Sequence, residues 1–124
     1  MNNKRKKRQK QTAEVFTPPG LVKEMLDKLP SSSWEEDRTF LDNSCGNGNF
    51  LVAILRRKLE AGHNYLKALS TIYGVDIMED NVAECKLRLL EIVEIYIEDD
   101  GSEVIDILNK NIVCHDALTY DYQY

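Results

Sequence analysis

The sequence predicts an α/β fold: a parallel sheet whose strands are joined by crossover helices, with one further helix ahead of the first strand. Three observations carry this. Short apolar runs alternate with longer segments of helical periodicity, the pattern of parallel strands with right-handed crossovers. A glycine turn, "DNSCGNGNF", links the first apolar run directly to a helical segment. Two later runs, "STIYGVD" and "NIVCHDAL", carry an aspartate at or near their ends, as the first run does.

Ahead of the sheet, "EVFTPPGLVKEMLDKLP" has a helix signature. Thr17 is a natural N-cap, Pro18 suits the first helical position, and Leu21, Val22, Met25, Leu26 and Leu29 recur at helical spacing until Pro30 stops them. "SSSWEEDR" is a polar connector, and "TFLDN" is a short buried strand running into the turn. "NFLVAILRRKLEAG" is a helix, apolar nearly all round in its first half. Its last turns are cationic, as the helix dipole favours, and Gly62 closes it. After the second strand, "EDNVAECKLRLLEIVEIYI" is a long helix with an apolar stripe of Val82, Cys85, Leu89, Ile92, Val93 and Tyr96. "EDDGS" breaks it, and "EVIDILN" forms a short helix before the third strand, which stops at Asp116.

A chain of 124 residues is one domain at most; at this length folding buries roughly 60 to 70 per cent of the unfolded surface, enough for a small core. No run of about 18 apolar residues occurs, and the start "MNNKRKKRQKQ" has no apolar signal region, so the expected location is cytoplasmic, with no membrane contact. Cys45, Cys85 and Cys114 are odd in number and widely separated, which argues for reduced thiols and against a disulfide framework or a zinc site; no metal is expected. Cys114 and His115 are adjacent, but neighbours on a strand point to opposite faces, so they read as two small core residues. The net charge of −5 conceals an asymmetry. Six of the 16 cations lie between Lys4 and Lys10, leaving ten against 21 acids in the remainder. Residues 1–12 therefore form a basic arm on an acidic body, either a disordered solubilising tail or a phosphate-contacting segment.

The glycine turn is placed for a cofactor, since open parallel α/β sheets bind ligands at the carboxyl ends of their strands. A dinucleotide fingerprint needs three glycines, and here Gly46 and Gly48 are followed by Leu51. Asp42, Asp76 and Asp116 place a carboxylate near the end of each strand, an arrangement that repels a phosphate-rich ligand. It suits a cationic one carrying an amine, a diol and an exocyclic amino group. S-adenosylmethionine meets that description better than a dinucleotide or ATP. Each aspartate has an alternative role as a helix cap or turn residue.

At these residues the sequence resembles a family. "DNSCGNGNFL" is similar to the Asp-Pro-Ala-Cys-Gly-Ser-Gly-Asn-Phe-Leu pattern of class I adenine-specific DNA methyltransferases, with Asn43 in place of proline and Ser44 in place of alanine. "EVFTPPGLVKEML" resembles the Phe-Thr-Pro segment that precedes it there, and "IYGVDI" and "NIVCHDAL" resemble the two segments that follow. The four motifs span Glu14 to Leu118 in the family's order. The resemblance implies a partial Rossmann-like class I methyltransferase fold with three parallel strands in the order 3-2-1, an S-adenosylmethionine cofactor and DNA as substrate. It implies that Phe16 and Thr17 meet the methionine end of the cofactor and that Asp42 holds its amino group. Gly46 and Gly48 let the backbone approach, Asp76 takes the ribose hydroxyls, Ile77 lies against the adenine, and Asp116 accepts from the adenine amino group beside Ala117. The motif positions Pro18, Ser44, Asn49 and Phe50 complete the implied cofactor-binding set. For Phe16 and Ile77, core packing is the alternative.

The family transfers its methyl group at an Asn-Pro-Pro-Tyr or Asn-Pro-Pro-Phe segment after a fourth strand, and these 124 residues contain none. No catalytic residue is therefore assigned. Tyr120, Tyr122 and Tyr124 alternate at the end of the chain, as stacking surfaces for nucleic acid or as a loop. Residues 13–124 read as the cofactor-binding half of a methyltransferase domain, truncated before the catalytic segment and incomplete alone; Phe40 and Leu41 are left on an open edge, to be covered by a second chain or a missing C-terminal half. Two rivals stand beside this reading. One is a fragment of an RNA or protein-glutamine methyltransferase, against which the Phe-Thr-Pro segment argues. The other is a non-catalytic module that binds nucleic acid or a partner through the arm.

Overall fold

The computed structural model describes residues 17–122. The basic arm, Phe16 and Tyr124 lie outside that range. Three short strands form one parallel sheet: β1 (Phe40–Asp42), β2 (Ile72–Asp76) and β3 (Ile112–Cys114). β2 is central, pairing Phe40 with Ile72 on one side and Gly74 with Ile112 on the other, so the order is the expected 3-2-1. The fold is α/β, consistent with a partial Rossmann-like methyltransferase.

Helix α1 (Pro19–Asp27) precedes β1. It starts one residue later than the sequence suggests, because Pro18 is followed by a second proline. A residue before proline is pushed out of the helical region, and Pro18 sits at ψ 147° as the cap, with no capping bond from a side chain. Helix α2 (Asn49–Glu60) follows the glycine turn, and Ser31–Trp34 of the polar connector forms a single 3-10 turn. The sequence reading missed α3 (Tyr65–Ser70), a short helix whose N-cap, Asn64, accepts from the backbone N–H groups of Leu66 and Lys67. Helix α4 (Glu79–Val93) runs into a 3-10 turn, and α5 (Ser102–Asn111) leads straight into β3.

The core is built mainly from α2 and α4 against the sheet. Leu51, Leu55, Ile72, Cys85, Leu89, Val93 and Ile112 are all buried in it. Gly74 makes this packing possible: a Cβ there would stand 2.7 Å from Leu51 Cδ1 and 3.1 Å from Cys45 Cβ. Two readings of side chains are corrected. Tyr96 is exposed and stacks on Tyr65 at 5.8 Å instead of continuing the buried stripe of α4, because the helix ends at Val93. Cys114 and His115 are both exposed; among the described residues β3 pairs only with β2 and ends at Cys114. Lys58, one of the cations in the last turns of α2, is buried; its Nζ donates to the Arg38 carbonyl at 2.8 Å and lies 5.1 Å from the centre of the Phe40 ring.

Among the described residues, no helix is long and apolar enough to cross a membrane, and no group of three or more His, Cys, Asp or Glu is gathered to hold a metal.

Candidate functional site

The loop between β1 and α2 closes a small cleft of about 220 Å³, lined by Thr17, Asp42, Ser44, Cys45, Gly46, Asn47, Asn49 and Phe50. The loop is a tight turn in which Gly46 and Gly48 take positive φ values of 53° and 95°, a region that favours glycine. Cys45 N–H donates to Val75 O at 3.0 Å, stitching the loop to β2, and Gly48 N–H returns to Cys45 O at 2.9 Å. Gly48 serves a second purpose, because a Cβ there would lie 2.8 Å from Cys85 Sγ. Its bareness lets α4 pack beneath the turn.

All three strand-end aspartates make the same local bond. Asp42 Oδ1 accepts from Ser44 N–H at 3.0 Å, Asp76 Oδ1 from Met78 N–H at 2.8 Å, and Asp116 Oδ1 from Leu118 N–H at 2.9 Å. The turn-forming role is thus real for each. Asp76 goes further: its Oδ2 accepts from Gly46 N–H at 2.9 Å, across 30 residues of sequence, and Asn81 Nδ2 approaches Oδ1 at 3.5 Å. The acid at the end of β2 therefore holds the glycine loop in place.

Burial pushes the Asp42 carboxyl above the ordinary carboxylate range; the Ser44 N–H opposes that rise, and the nearby Asp76 charge adds to it. A half-buried carboxyl whose ionisation is made costly first by burial and further by a second acid gains from a cationic partner. Beneath the loop, the Cys45 thiol is pushed far up by contact with the Cys85 thiol, then by burial, so it stays protonated and is no nucleophile.

Of the residues expected to bind a cofactor, Thr17, Asp42, Ser44, Gly46, Asn49 and Phe50 surround one cleft. Pro18 is the exposed cap of α1, and Gly48 is buried against α4. Asp76 joins the cleft through its bond to Gly46, while Ile77, Asp116 and Ala117 stand at the ends of the neighbouring strands, outside the cleft lining. Ile77 is 66% exposed, which removes the core-packing alternative for it. The ends of β2 and β3 are bonded together, His115 N–H donating to Asp76 O at 3.0 Å. Beyond β3 the chain folds on itself: Thr119 and Tyr120 N–H groups donate to Asp116 O, Tyr122 OH donates to Ala117 O at 2.9 Å, and the Tyr120 and Tyr122 rings meet edge to face at 4.9 Å.

Sequence reasoning assigned no role to Asn47, which lines the cleft, or to Arg88 behind it. Arg88, on α4, donates through Nη1 to Asn47 O at 3.0 Å and to Asn49 Oδ1 at 2.8 Å. An arginine off the apolar stripe of a helix gives no sequence signal of such a role.

Comparison with known proteins agrees with this geometry. The family described as N-6 DNA Methylase matches residues 1–119. Among curated proteins, the chain is 29% identical over 108 residues to "Type II methyltransferase M.VspI" of Vibrio sp. (strain 343), a match that covers 87% of this chain and 21% of that protein. The chain thus spans about a fifth of the relative's length. No solved structure matches. Matched over nearly its whole length, with the glycine turn and strand-end acids in place, the chain belongs to the N-6 DNA methylase family.

Proposed function

We propose that the chain is the S-adenosylmethionine-binding portion of a site-specific adenine DNA methyltransferase of a restriction–modification or phage type, residues 13–124 forming the cofactor half. The observation that carries the reading is the pairing of a bare, left-handed glycine loop with two carboxylates, Asp42 lining the cleft and Asp76 bonded to Gly46 beside it, in a cleft whose described lining holds no cation. The donor set fits a ligand with an ammonium and a sulfonium. Asp42 takes the amino group, Thr17 and the first turn of α1 face the methionine carboxylate, Asp76 receives the ribose, and Ile77 and Asp116 with Ala117 flank the adenine. The cofactor supplies an electrophilic methyl group; these residues bind and orient it. The Vibrio relative's name, a Type II methyltransferase, supports the methyltransferase part of this reading.

The catalytic segment comes from further polypeptide, since the sequence has no Asn-Pro-Pro. An apolar groove of about 310 Å³ supports this, lined by Met25, Leu26, Leu29, Phe40, Leu41, Phe50 and Ile54 and flanking β1, the strand paired on one side only among the described residues. Leu41 there is 47% exposed. The groove and the cofactor cleft share Asp42 and Phe50, so a segment lying in the groove reaches the methionine end of the cleft.

Calorimetric titration of the full chain with S-adenosylmethionine tests the reading, beside Asp42→Asn. One-to-one binding that weakens in the variant is expected, with no methyl transfer to DNA by the chain alone. A folded chain that binds no cofactor would overturn the reading.

A further inference from the structure

We propose that Arg88 is a positioning residue for the cofactor cleft, acting from behind it through the carboxamide of Asn49. This rests on the cofactor-binding reading above and names a device within it.

Arg88 lies on α4, next to but not on the buried stripe of Val82, Cys85, Leu89 and Val93. It does not line the cleft. Its Nη1 nonetheless reaches two groups that belong to cleft residues, Asn47 O at 3.0 Å and Asn49 Oδ1 at 2.8 Å. The same Asn49 side chain turns its Nδ2 to Thr17 O at 2.8 Å, 32 residues earlier in the chain. One guanidinium therefore connects α4, the glycine loop and the segment entering α1.

The order of these bonds follows from what each group can do. A carboxamide has one accepting and one donating end, and a guanidinium can only donate. Arg88 thereby fixes the Asn49 oxygen towards itself, which leaves the Asn49 nitrogen facing the Thr17 carbonyl. Without the cation the amide is free to flip and the Thr17 carbonyl loses its donor. Hydrogen bonds from a charged donor are the stronger kind, and bonds in a chain polarise one another. Thr17 precedes the paired prolines Pro18 and Pro19, and no side chain caps α1. Asn49 Nδ2 is thus a tether holding the Thr17 wall at its distance from the Gly46 wall.

A purely structural role for Arg88 makes a different forecast. The hydrophobic core under the loop, Cys45, Leu51, Cys85 and Leu89, does not include Arg88, so its loss leaves the packing in place. What changes is the separation of two walls of the cleft.

The test uses the full chain with three readouts: calorimetric Kd for S-adenosylmethionine, the urea midpoint, and the side-chain amide NMR signals of Asn49. The expected result for Arg88→Ala is a Kd raised about tenfold, the loss typical of a charge-assisted bond, with the Asn49 amide signals moved to the position of a solvent-exposed carboxamide. Asn49→Ala should raise Kd by a similar factor, and the double variant should be no worse than the worse single one, because both break one chain of bonds. Arg88→Lys should recover part of the affinity, since a single nitrogen serves both acceptors. It also stands in for Arg88→Ala if that variant fails to fold, its own intermediate Kd and shifted Asn49 signals then being the expected result. Unchanged Kd in Arg88→Ala and Arg88→Lys, unmoved Asn49 signals, or multiplying single-variant losses in the double variant would overturn the proposal while wild-type binding upholds the cofactor reading. A folded wild-type chain that binds no cofactor overturns that reading itself, and this proposal with it.

Discussion

Two aspartates end neighbouring strands, Asp76 on β2 and Asp116 just beyond β3, and each begins with the same bond to the N–H two residues on. Their surroundings then diverge. Asp76 is half-buried and receives Gly46 N–H from the loop after β1. Asp116 is exposed, and its backbone carbonyl is used within its own turn by Thr119 and Tyr120. One aspartate is engaged by a contact distant in sequence and the other by local ones. A central strand in a three-stranded sheet has neighbours on both sides to organise the residues after it; an edge strand has one. The glycine-loop side of the cleft is consequently preorganised, and the end of β3 is shaped by a turn that could form in isolation.

This contrast orders the outcomes of mutation. Gly48→Ala should have the largest effect, since it places a Cβ against Cys85 Sγ at a positive φ; a loss of about 3 kcal/mol in urea unfolding is expected from strain and overpacking together. Asp76→Ala comes next. It orphans Gly46 N–H and Met78 N–H, costing about 2 kcal/mol of stability in addition to cofactor affinity. The third is a pH effect. The Asp42 carboxyl of the free protein is raised by burial, so it is protonated in the window just above its ordinary value of 3.8. A cationic ligand favours the ionised form. Affinity for S-adenosylmethionine should therefore rise with pH through that window, by up to about tenfold per unit for one linked proton, and Asp42→Asn should flatten the profile. The native state holds the extra proton in the same window, so this group's contribution to stability falls as pH rises. Smallest is Asp116→Ala, which should leave the urea midpoint where it was, its bonds being local. Equal destabilisation by Asp76→Ala and Asp116→Ala would break the contrast between the two strand ends.

Local signals in the chain marked the glycine turn, the three strands and the main helices, because each depends on residues close in sequence. Asn64 is a capping signal of the same kind, and noticing it ahead of "YLKALS" finds the missed helix. Pro18 followed by Pro19 likewise tells where α1 begins. Other features had no local trace. Lys58 looks like any cation in a last helical turn, and only the tertiary fold brings Arg38 O and the Phe40 ring over it, burial then pushing its amine below the usual lysine range. The exposure of Cys114 and His115 goes with β3 pairing only with β2 among the described residues. The Arg57 guanidinium tying α2 to α1 through Asp27 and the Lys23 carbonyl is likewise a product of packing. At the candidate site, the family motif named the loop residues, but the support beneath them, Arg88 and Gly74, rests on contacts 23 to 41 residues away in sequence.

The double engagement of Asp76 has a consequence for every affinity measured at this cleft. A carboxylate that latches the loop bordering a cleft makes the latch's own opening equilibrium part of the constant for any ligand bound there. A loop latched in only about a tenth of the molecules would show an apparent affinity about tenfold weaker than its intrinsic one. Any polypeptide that settles into the adjoining groove and holds the latch shut would tighten cofactor binding without touching the cofactor.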